Sequence, residues 1–168
     1  MARFIELGVA PDNLNGIDIL PDRVEVGRQR YPQMHLRSGN AEHLPYPDAE
    51  FDLTMESTMF ATLPHQRLRQ GIADEMLRVT KPGGLILLVD WRYSKPRSRD
   101  HRRLTKGMIR ELFDVPGSSK IAGVERGALI PPVGRFISRR APAGYFPVQA
   151  LLPVLVGVNV TLLRRSFG

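Results

Sequence analysis

The sequence contains no cysteine, which excludes disulfide frameworks, thiolate zinc sites and cysteine nucleophiles. It has no internal repeat or low-complexity tract, and its 42% hydrophobic and 24% charged residues exclude wholesale disorder and a coiled-coil rod. Its 168 residues fit one domain of ordinary size. Residues 1–14 lack the features of a secretory signal. We therefore expect a globular chain that starts at Met1 and lies in the cytoplasm.

Acidic residues are scarce in the second half of the chain. Residues 91–168 carry 15 basic and 4 acidic residues, a net charge of +11, whereas residues 1–90 carry 9 and 13, a net charge of −4. A basic half favours an anionic partner such as a phosphate, a nucleic acid or a membrane surface. A codon bias is an equal explanation, because 20 of the 24 basic residues are arginine. Few aromatic residues interleave with the basic stretch, which disfavours a nucleic acid.

Long apolar runs are absent except at residues 145–163, which carry no charge. Pro147, Pro153, Gln149 and Asn159 disfavour a membrane span, because prolines remove helix hydrogen bonds and amides are costly in hydrocarbon. A short helix, a turn and a last strand are the better interpretation. Contact with a membrane interface stays open.

Metal-ligand spacing is also absent. The four histidines, His35, His43, His65 and His101, fall at unrelated intervals, so no metal site is predicted.

Alternating strands and helices are what the pattern of apolar residues predicts. Strands are expected at residues 14–20, 34–37, 51–55, 85–89, 120–130 and 158–163, and helices from Asp22 to Tyr31, over residues 68–79, and from a Thr105 cap to Phe113. Such an order indicates an α/β sheet with right-handed crossovers, and its ligand site lies at the carboxyl ends of the strands. The informative residues therefore follow the strands: Asp18, Asn40, Glu56 and Asp90.

Three segments carry a resemblance to a known family. They are GIDILPDRVE (Gly16 to Glu25), SGNAEHLPYPDAEFDL (Ser38 to Leu53) and EMLRVTKPGGLILLVD (Glu75 to Asp90). In order and spacing they resemble the ribose-binding strand end, the adenine-contacting segment and the turn before the fifth strand of the class I S-adenosylmethionine-dependent methyltransferases. The resemblance implies a Rossmann-like methyltransferase sheet with helices on both faces, and S-adenosylmethionine as cofactor.

The resemblance also implies roles for five residues. Asp18 would accept hydrogen bonds from the ribose hydroxyls and Ile19 would lie against the adenine ring. Asn40 and Ala41 would meet the adenine edge, and Glu56 would face the sulfonium or the substrate. Two alternatives stay open at this point: Asp18 as a turn or capping residue, and Glu56 as a solvated loop carboxylate.

A catalytic residue is not assigned. His65 follows the strand at residues 51–55, where some methyltransferases keep a base, but positioning contributes most to methyl transfer and a dedicated base is not required.

The glycine-rich loop after the family's first strand has no counterpart here. Residues 1–8 instead resemble the helix that follows that loop, so we expect an N-terminally truncated chain whose first strand is missing. That strand lies between residues 14–20 and 51–55 in the family, and its loss would leave two apolar sheet edges. A misassigned start, a gene fragment and a decayed paralogue are equally compatible with this pattern.

The two halves of the chain are expected to differ in role. Residues 1–95 would form a partial cofactor-binding half, and residues 96–168 a basic half of the same domain. We expect the acceptor over residues 91–103 and 131–140. The predicted function is methyl transfer from S-adenosylmethionine to a small-molecule acceptor, with an anionic group, a sugar or a lipid-linked intermediate as candidates. The alternative is a non-catalytic remnant or binding module that holds an anionic ligand or partner through its basic half. No feature indicates an oligomeric state.

Overall fold

Two compact units make up the chain, Met1–Pro45 and Tyr46–Gly168. The computed structural model describes residues 2–93 and 103–167. Residues 94–102, which are most of the segment 91–103 where the acceptor is expected, lie outside the described residues. The functional division expected at residue 95 is a separate matter from this division at residue 45, and it stays a prediction.

The first unit is a small α/β element. It consists of α1 (Ala2–Glu6), β1 (Asn15–Asp18), α2 (Pro21–Arg30) and β2 (His35–Ser38). β1 and β2 pair in parallel, with Asp18 opposite Ser38. The helix between them starts at Pro21, one residue before the expected start at Asp22, and it has no side-chain cap. The fixed φ of proline suits the first helical position, which explains the earlier start.

The second unit is a mixed four-stranded sheet with helices. Its elements are β3 (Phe51–Ser57), α3 (Gln66–Val79), β4 (Thr80–Trp91), α4 (Lys106–Leu112), β5 (Ser119–Arg126), α5 (Pro131–Arg140), α6 (Tyr145–Leu151) and β6 (Val158–Arg165). The strand order is β3-β4-β6-β5. β3 and β4 are parallel, whereas β6 is antiparallel to both of its neighbours. The predicted α/β class is therefore confirmed.

The core of the second unit is built around β4. Ile86 and Leu88 are buried on this strand, as is Leu163 on β6. Helices cover the sheet, and Phe60 packs edge-on against Phe113 with 5.9 Å between ring centroids. The sequence correctly predicts a buried strand parallel to its predecessor, but it does not indicate the antiparallel pairing with β6.

Each sheet ends in a strand that pairs on one side. Among the described residues, β1 pairs only with β2, and β3 pairs only with β4. Leu53 and Met55 on β3 are 36% and 38% exposed. β1 and β3 are therefore edge strands of their sheets, and the missing first strand stays a prediction.

The C-terminal region differs partly from its prediction. Residues 131–140 form α5, a helix that the sequence reading leaves unassigned because it begins with two prolines. Both prolines fall in the first turn, where their missing N–H groups would have had no partner in any case. The Thr105 cap is confirmed, since its Oγ1 accepts a hydrogen bond from the Met108 N–H at 3.2 Å. Residues 145–163 form α6, a 3-10 turn at Pro153–Leu155 and most of β6, as predicted. No helix in the described ranges is long and apolar enough to span a membrane.

The Lys81-Pro82-Gly83-Gly84 turn lies within β4 next to an irregular register with β3. Arg78 holds the segment before β3, since its Nη1 donates to the Tyr46 carbonyl at 2.8 Å and to Asp48 Oδ1 at 2.7 Å. At Gly84 a Cβ would lie 2.8 Å from the Lys81 carbonyl and 3.1 Å from the Asp52 carbonyl. The bend of β4 at Lys81 therefore leaves too little room for a side chain at Gly84, and the backbone of β3 adds a tight contact.

Replacing Gly84 with alanine should lower the free energy of unfolding by about 1–3 kcal/mol, because two backbone carbonyls must move. Gly123→Ala on β5 is the control, since a Cβ there meets nothing within 4 Å. Urea unfolding of both variants tests this expectation. Equal free energies of unfolding for the two variants would show that the fold accommodates a Cβ at Gly84 without cost.

Candidate functional site

The carboxyl end of β1 presents an accessible carboxylate. Asp18 Oδ1 accepts a hydrogen bond from the Leu20 N–H at 2.9 Å, and Oδ2 lies 3.7 Å from Arg23 Nη1. The Asp18 side chain is nonetheless 39% exposed. Asp18 thus has the turn role that the sequence left open, while a carboxylate has about four acceptor positions and keeps capacity for a ligand.

The loop after β2 lies beside the end of β1. The Gly39 N–H donates to the Asp18 carbonyl at 3.1 Å, which brings Asn40 and Ala41 next to Asp18 and Ile19. Four of the five predicted site residues therefore meet at one end of the two-stranded sheet. Ile19 is 69% exposed, so an apolar side chain faces solvent beside the accessible carboxylate.

Asn40 is held within its own loop. Its Oδ1 accepts from the Glu42 N–H and its Nδ2 donates to Glu42 Oε2, both at 3.0 Å. This arrangement orients the amide, and the second lone pair of Oδ1 is left as an acceptor.

Glu56 belongs to the second unit, near the end of β3. Its side chain is 4% exposed, so the interpretation as a solvated loop carboxylate is wrong. Oε2 accepts a hydrogen bond from the Met59 N–H at 3.0 Å. Among the described residues, Oε1 has no hydrogen-bond partner. A buried oxygen in this state is costly in a folded protein and marks a candidate contact point for a ligand.

A second buried carboxylate ends the neighbouring strand. Asp90 on β4 is 3% exposed, and its Oδ2 accepts from the Ala61 N–H at 2.8 Å. Glu56 and Asp90 thus hold the same turn, residues 58–61, through its backbone N–H groups. Thr58 in this turn has a positive φ of 59°, a strained conformation for a β-branched residue.

The two carboxylates also interact electrostatically. Burial and the nearby charge of Asp90 raise the pKa of Glu56 to about 8, although backbone hydrogen bonds such as that from Met59 oppose the shift. The folded chain therefore holds a proton on Glu56 at pH values where an exposed glutamate is ionised.

A cavity of about 280 Å³ opens at the end of β4. Its polar lining consists of Asp90, Arg92, Arg103, Thr105, Lys106, Asn159 and Thr161. Arg92 is anchored there, since its Nη1 donates to the Pro153 carbonyl at 2.7 Å. Three cationic side chains in one cavity favour an anionic or acidic ligand group.

The sequence indicates part of this arrangement. It marks Asp90 as a strand-end residue but not its burial beside Glu56. The cavity was beyond prediction, because it joins β4, α4 and β6, which are far apart in the chain. His65 is exposed at the N-terminal end of α3 and makes no side-chain capping hydrogen bond.

The sequence profile of the methyltransferase domain family matches residues 3–88. The match covers half of the chain and contains the strand ends of Asp18 and Glu56. The chain therefore belongs to this family, the class I S-adenosylmethionine-dependent methyltransferases.

Several curated relatives act in quinone biosynthesis by name. The ubiquinone/menaquinone biosynthesis C-methyltransferase UbiE of Rhodopseudomonas palustris is 29% identical over 140 residues, which is 80% of this chain and 47% of the relative. A 2-methyl-6-phytyl-1,4-hydroquinone methyltransferase of a Synechocystis species is 28% identical over 67% of this chain and 36% of the relative. This chain thus spans about half the length of these relatives or less.

Solved structures show the same fold. A methyltransferase from Methanosarcina mazei superposes with a TM-score of 0.68 at 14% identity, covering 98% of this chain and 87% of that one. A sarcosine dimethylglycine methyltransferase from Galdieria sulphuraria gives a TM-score of 0.66 at 16% identity, covering 98% and 74%.

The pKa of Glu56 predicts a pH dependence of stability. Between its ordinary pKa of 4.5 and about 8 the folded chain binds more protons at this group than the unfolded chain. The free energy of unfolding should therefore fall as pH rises through this window, by up to about 1.4 kcal/mol per pH unit from this one group. Glu56→Gln should remove this part of the slope and become the more stable protein above pH 8.

Asp52→Asn serves as the control for this measurement, because Asp52 is an exposed carboxylate whose pKa is lowered by its hydrogen bond with Lys81. It should leave the slope between pH 5 and pH 8 unchanged. Parallel stability curves for wild type and Glu56→Gln would contradict the burial argument.

Proposed function

We propose that this chain is a methyltransferase domain that binds S-adenosylmethionine and transfers its methyl group to a small-molecule acceptor. One observation carries the proposal: within the span matched by the family, β1 ends in an accessible carboxylate, Asp18, beside the exposed Ile19. When bound, the cofactor supplies an electrophilic methyl group, and the acceptor gives up a proton as it gains the methyl group.

The adenosine part of the cofactor fits the residues of the first unit. In the proposal, Asp18 accepts hydrogen bonds from the ribose hydroxyls and Ile19 packs against the adenine ring. Asn40 Oδ1 accepts from the adenine amino group, and Ala41 lines the adenine edge. The accessible carboxylate and the exposed isoleucine support this assignment, because one offers charged acceptors and the other an apolar face.

The methionine part fits less well. The family contacts it through a glycine-rich loop, and residues 1–14 do not contain such a sequence. We therefore expect this chain to bind the cofactor more weakly than a methyltransferase that contacts both the adenosine part and the methionine part. Glu56 is proposed to face the sulfonium or the substrate. Its buried Oε1, which has no hydrogen-bond partner within residues 2–93 and 103–167, supports a ligand contact.

For the acceptor, we propose a hydroxylated aromatic ring bound in the cavity at the end of β4. The names of the quinone-pathway relatives favour such a ring over a sugar. The cationic side chains Arg92, Arg103 and Lys106 line this cavity and would stabilise a phenolate. A phenolate makes the adjacent ring carbon a better nucleophile, which is what transfer to carbon requires.

Asp18→Asn tests the ribose contact. It keeps an acceptor for the Leu20 N–H but loses the charged acceptor, so the Kd for S-adenosylhomocysteine should rise about tenfold. Asp12→Asn in the first unit is the matched control. Calorimetry should show that the wild type binds the 2′-deoxy analogue more weakly than S-adenosylhomocysteine. The Asp18→Asn variant should bind the two ligands with equal affinity. If the substitution weakened the affinity for both ligands by the same factor, Asp18 would have a structural role only.

The acceptor cavity is tested by kinetics with a 1,4-hydroquinone. Arg103→Gln with Lys106→Gln should raise the acceptor KM by roughly tenfold, because charged hydrogen-bond donors are lost, and leave the Kd of S-adenosylhomocysteine unchanged. Lys120→Gln on β5 is the control. Binding of S-adenosylhomocysteine without any turnover would instead favour the non-catalytic alternative.

A further inference from the structure

The exposed face of α5 combines arginines with an aromatic ring. Arg135, Phe136, Arg139 and Arg140 are exposed, whereas Gly134 is buried and Ile137 is half-buried. The exposed positions recur at spacings of one, four and five, so they share one side of the helix. Phe136 is 62% exposed, and the guanidinium of Arg140 lies 5.5 Å from its ring centroid.

The neighbouring α6 and the turn after it carry several exposed large apolar side chains. Phe146, Leu151 and Val154 are 75%, 78% and 66% exposed, and Leu152 is 48% exposed. The turn is fixed to the sheet, since the Arg92 guanidinium and the Tyr93 hydroxyl donate to the carbonyls of Pro153 and Val154. The backbone of the turn is thus anchored by hydrogen bonds, while the large apolar side chains around it stay exposed to solvent.

Charge in the segment that forms α5, α6 and the turn has one sign, although Glu125 of β5 lines a groove with Phe146. Residues 127–168 contain five arginines and no acidic residue. Among the described residues, no carboxylate forms an ion pair with Arg135 or Arg139. Both arginines line an open groove of about 320 Å³ together with Ser138 and Tyr145. Two guanidinium groups and a hydroxyl in one groove can donate hydrogen bonds to the oxygens of a phosphodiester.

We propose that α5, α6 and the Pro153–Leu155 turn form a surface that binds an anionic lipid membrane. Lipid phosphates lie in the groove of Arg135 and Arg139, and Phe136, Phe146, Leu151 and Val154 enter the boundary between headgroups and acyl chains. Basic residues combined with exposed aromatic and aliphatic side chains are typical of interfacial binding. This proposal goes beyond the methyl transfer proposed above and does not depend on it.

The choice of a membrane over a nucleic acid rests on the apolar side chains. A phosphate backbone would pair with the arginines but leave Leu151 and Val154 in solvent. An acyl region covers them, and long arginine side chains reach the headgroups from there.

Sedimentation of the whole chain with lipid vesicles tests the proposal. We expect binding to vesicles of phosphatidylglycerol and phosphatidylcholine at low salt, and much weaker binding to phosphatidylcholine alone. Arg135→Gln with Arg139→Gln should weaken binding about 25-fold, because each basic residue at an anionic surface contributes about fivefold. Phe146→Ser with Leu151→Ser should weaken it roughly tenfold.

Matched controls use exposed residues elsewhere in the chain. Leu7→Ser changes a leucine that is 79% exposed on the first unit, and Lys120→Gln removes a charge from β5. Neither should alter vesicle binding. The emission of a Phe146→Trp variant should shift to shorter wavelength with anionic vesicles, beyond any shift of the wild type, whose only tryptophan is Trp91.

Three outcomes would overturn the proposal. One is no binding to anionic vesicles by a chain whose circular dichroism shows it folded. Another is binding that the groove and apolar variants leave unchanged. The third is a dimer in light scattering, or a complex with single-stranded RNA, that Phe146→Ser with Leu151→Ser abolishes while vesicle binding persists.

Discussion

The pairing of β4 with strands on both sides is the constraint on which the second unit depends. β4 lies between β3 and β6, and Ile86 and Leu88 are buried on one of its faces. Parallel pairing with β3 brings the carboxyl ends of the two strands to one edge of the sheet, and Glu56 and Asp90 lie there. The position of both buried carboxylates follows from this register, because a one-residue slip would turn each side chain to the opposite face.

The buried carboxylates in turn organise the turn between β3 and α3. Each accepts a backbone N–H from residues 59–61, and the raised pKa of Glu56 reflects the burial of two acidic groups close together. Burial of this kind costs stability, and such costs are commonly retained at functional sites. The basic cavity opens from Asp90 on the same strand, so the acidic pair and the cationic lining adjoin.

Local signals in the sequence predict most of the elements but only part of the site. The strand ends at Asp18 and Glu56 are predictable, because short apolar runs stop at turn residues and helices follow. The helix at residues 131–140 is missed because its prolines resemble a breaker. The burial of Glu56 beside Asp90 and the cavity arise from contacts between distant segments, for which one sequence carries no local signal. The exposure of Phe146 and Leu151 is equally unpredictable from the sequence, because they belong to an uncharged, apolar stretch that is also compatible with a buried segment.

Cofactor binding at the end of β1 is the central claim, and amide chemical shifts measured during titration with S-adenosylhomocysteine test it most directly. The account predicts the largest shifts at Ile19, Leu20 and residues 39–41, around the Asp18 carboxylate. Shifts confined to residues 131–154, or none at a ligand concentration of several millimolar, would contradict it.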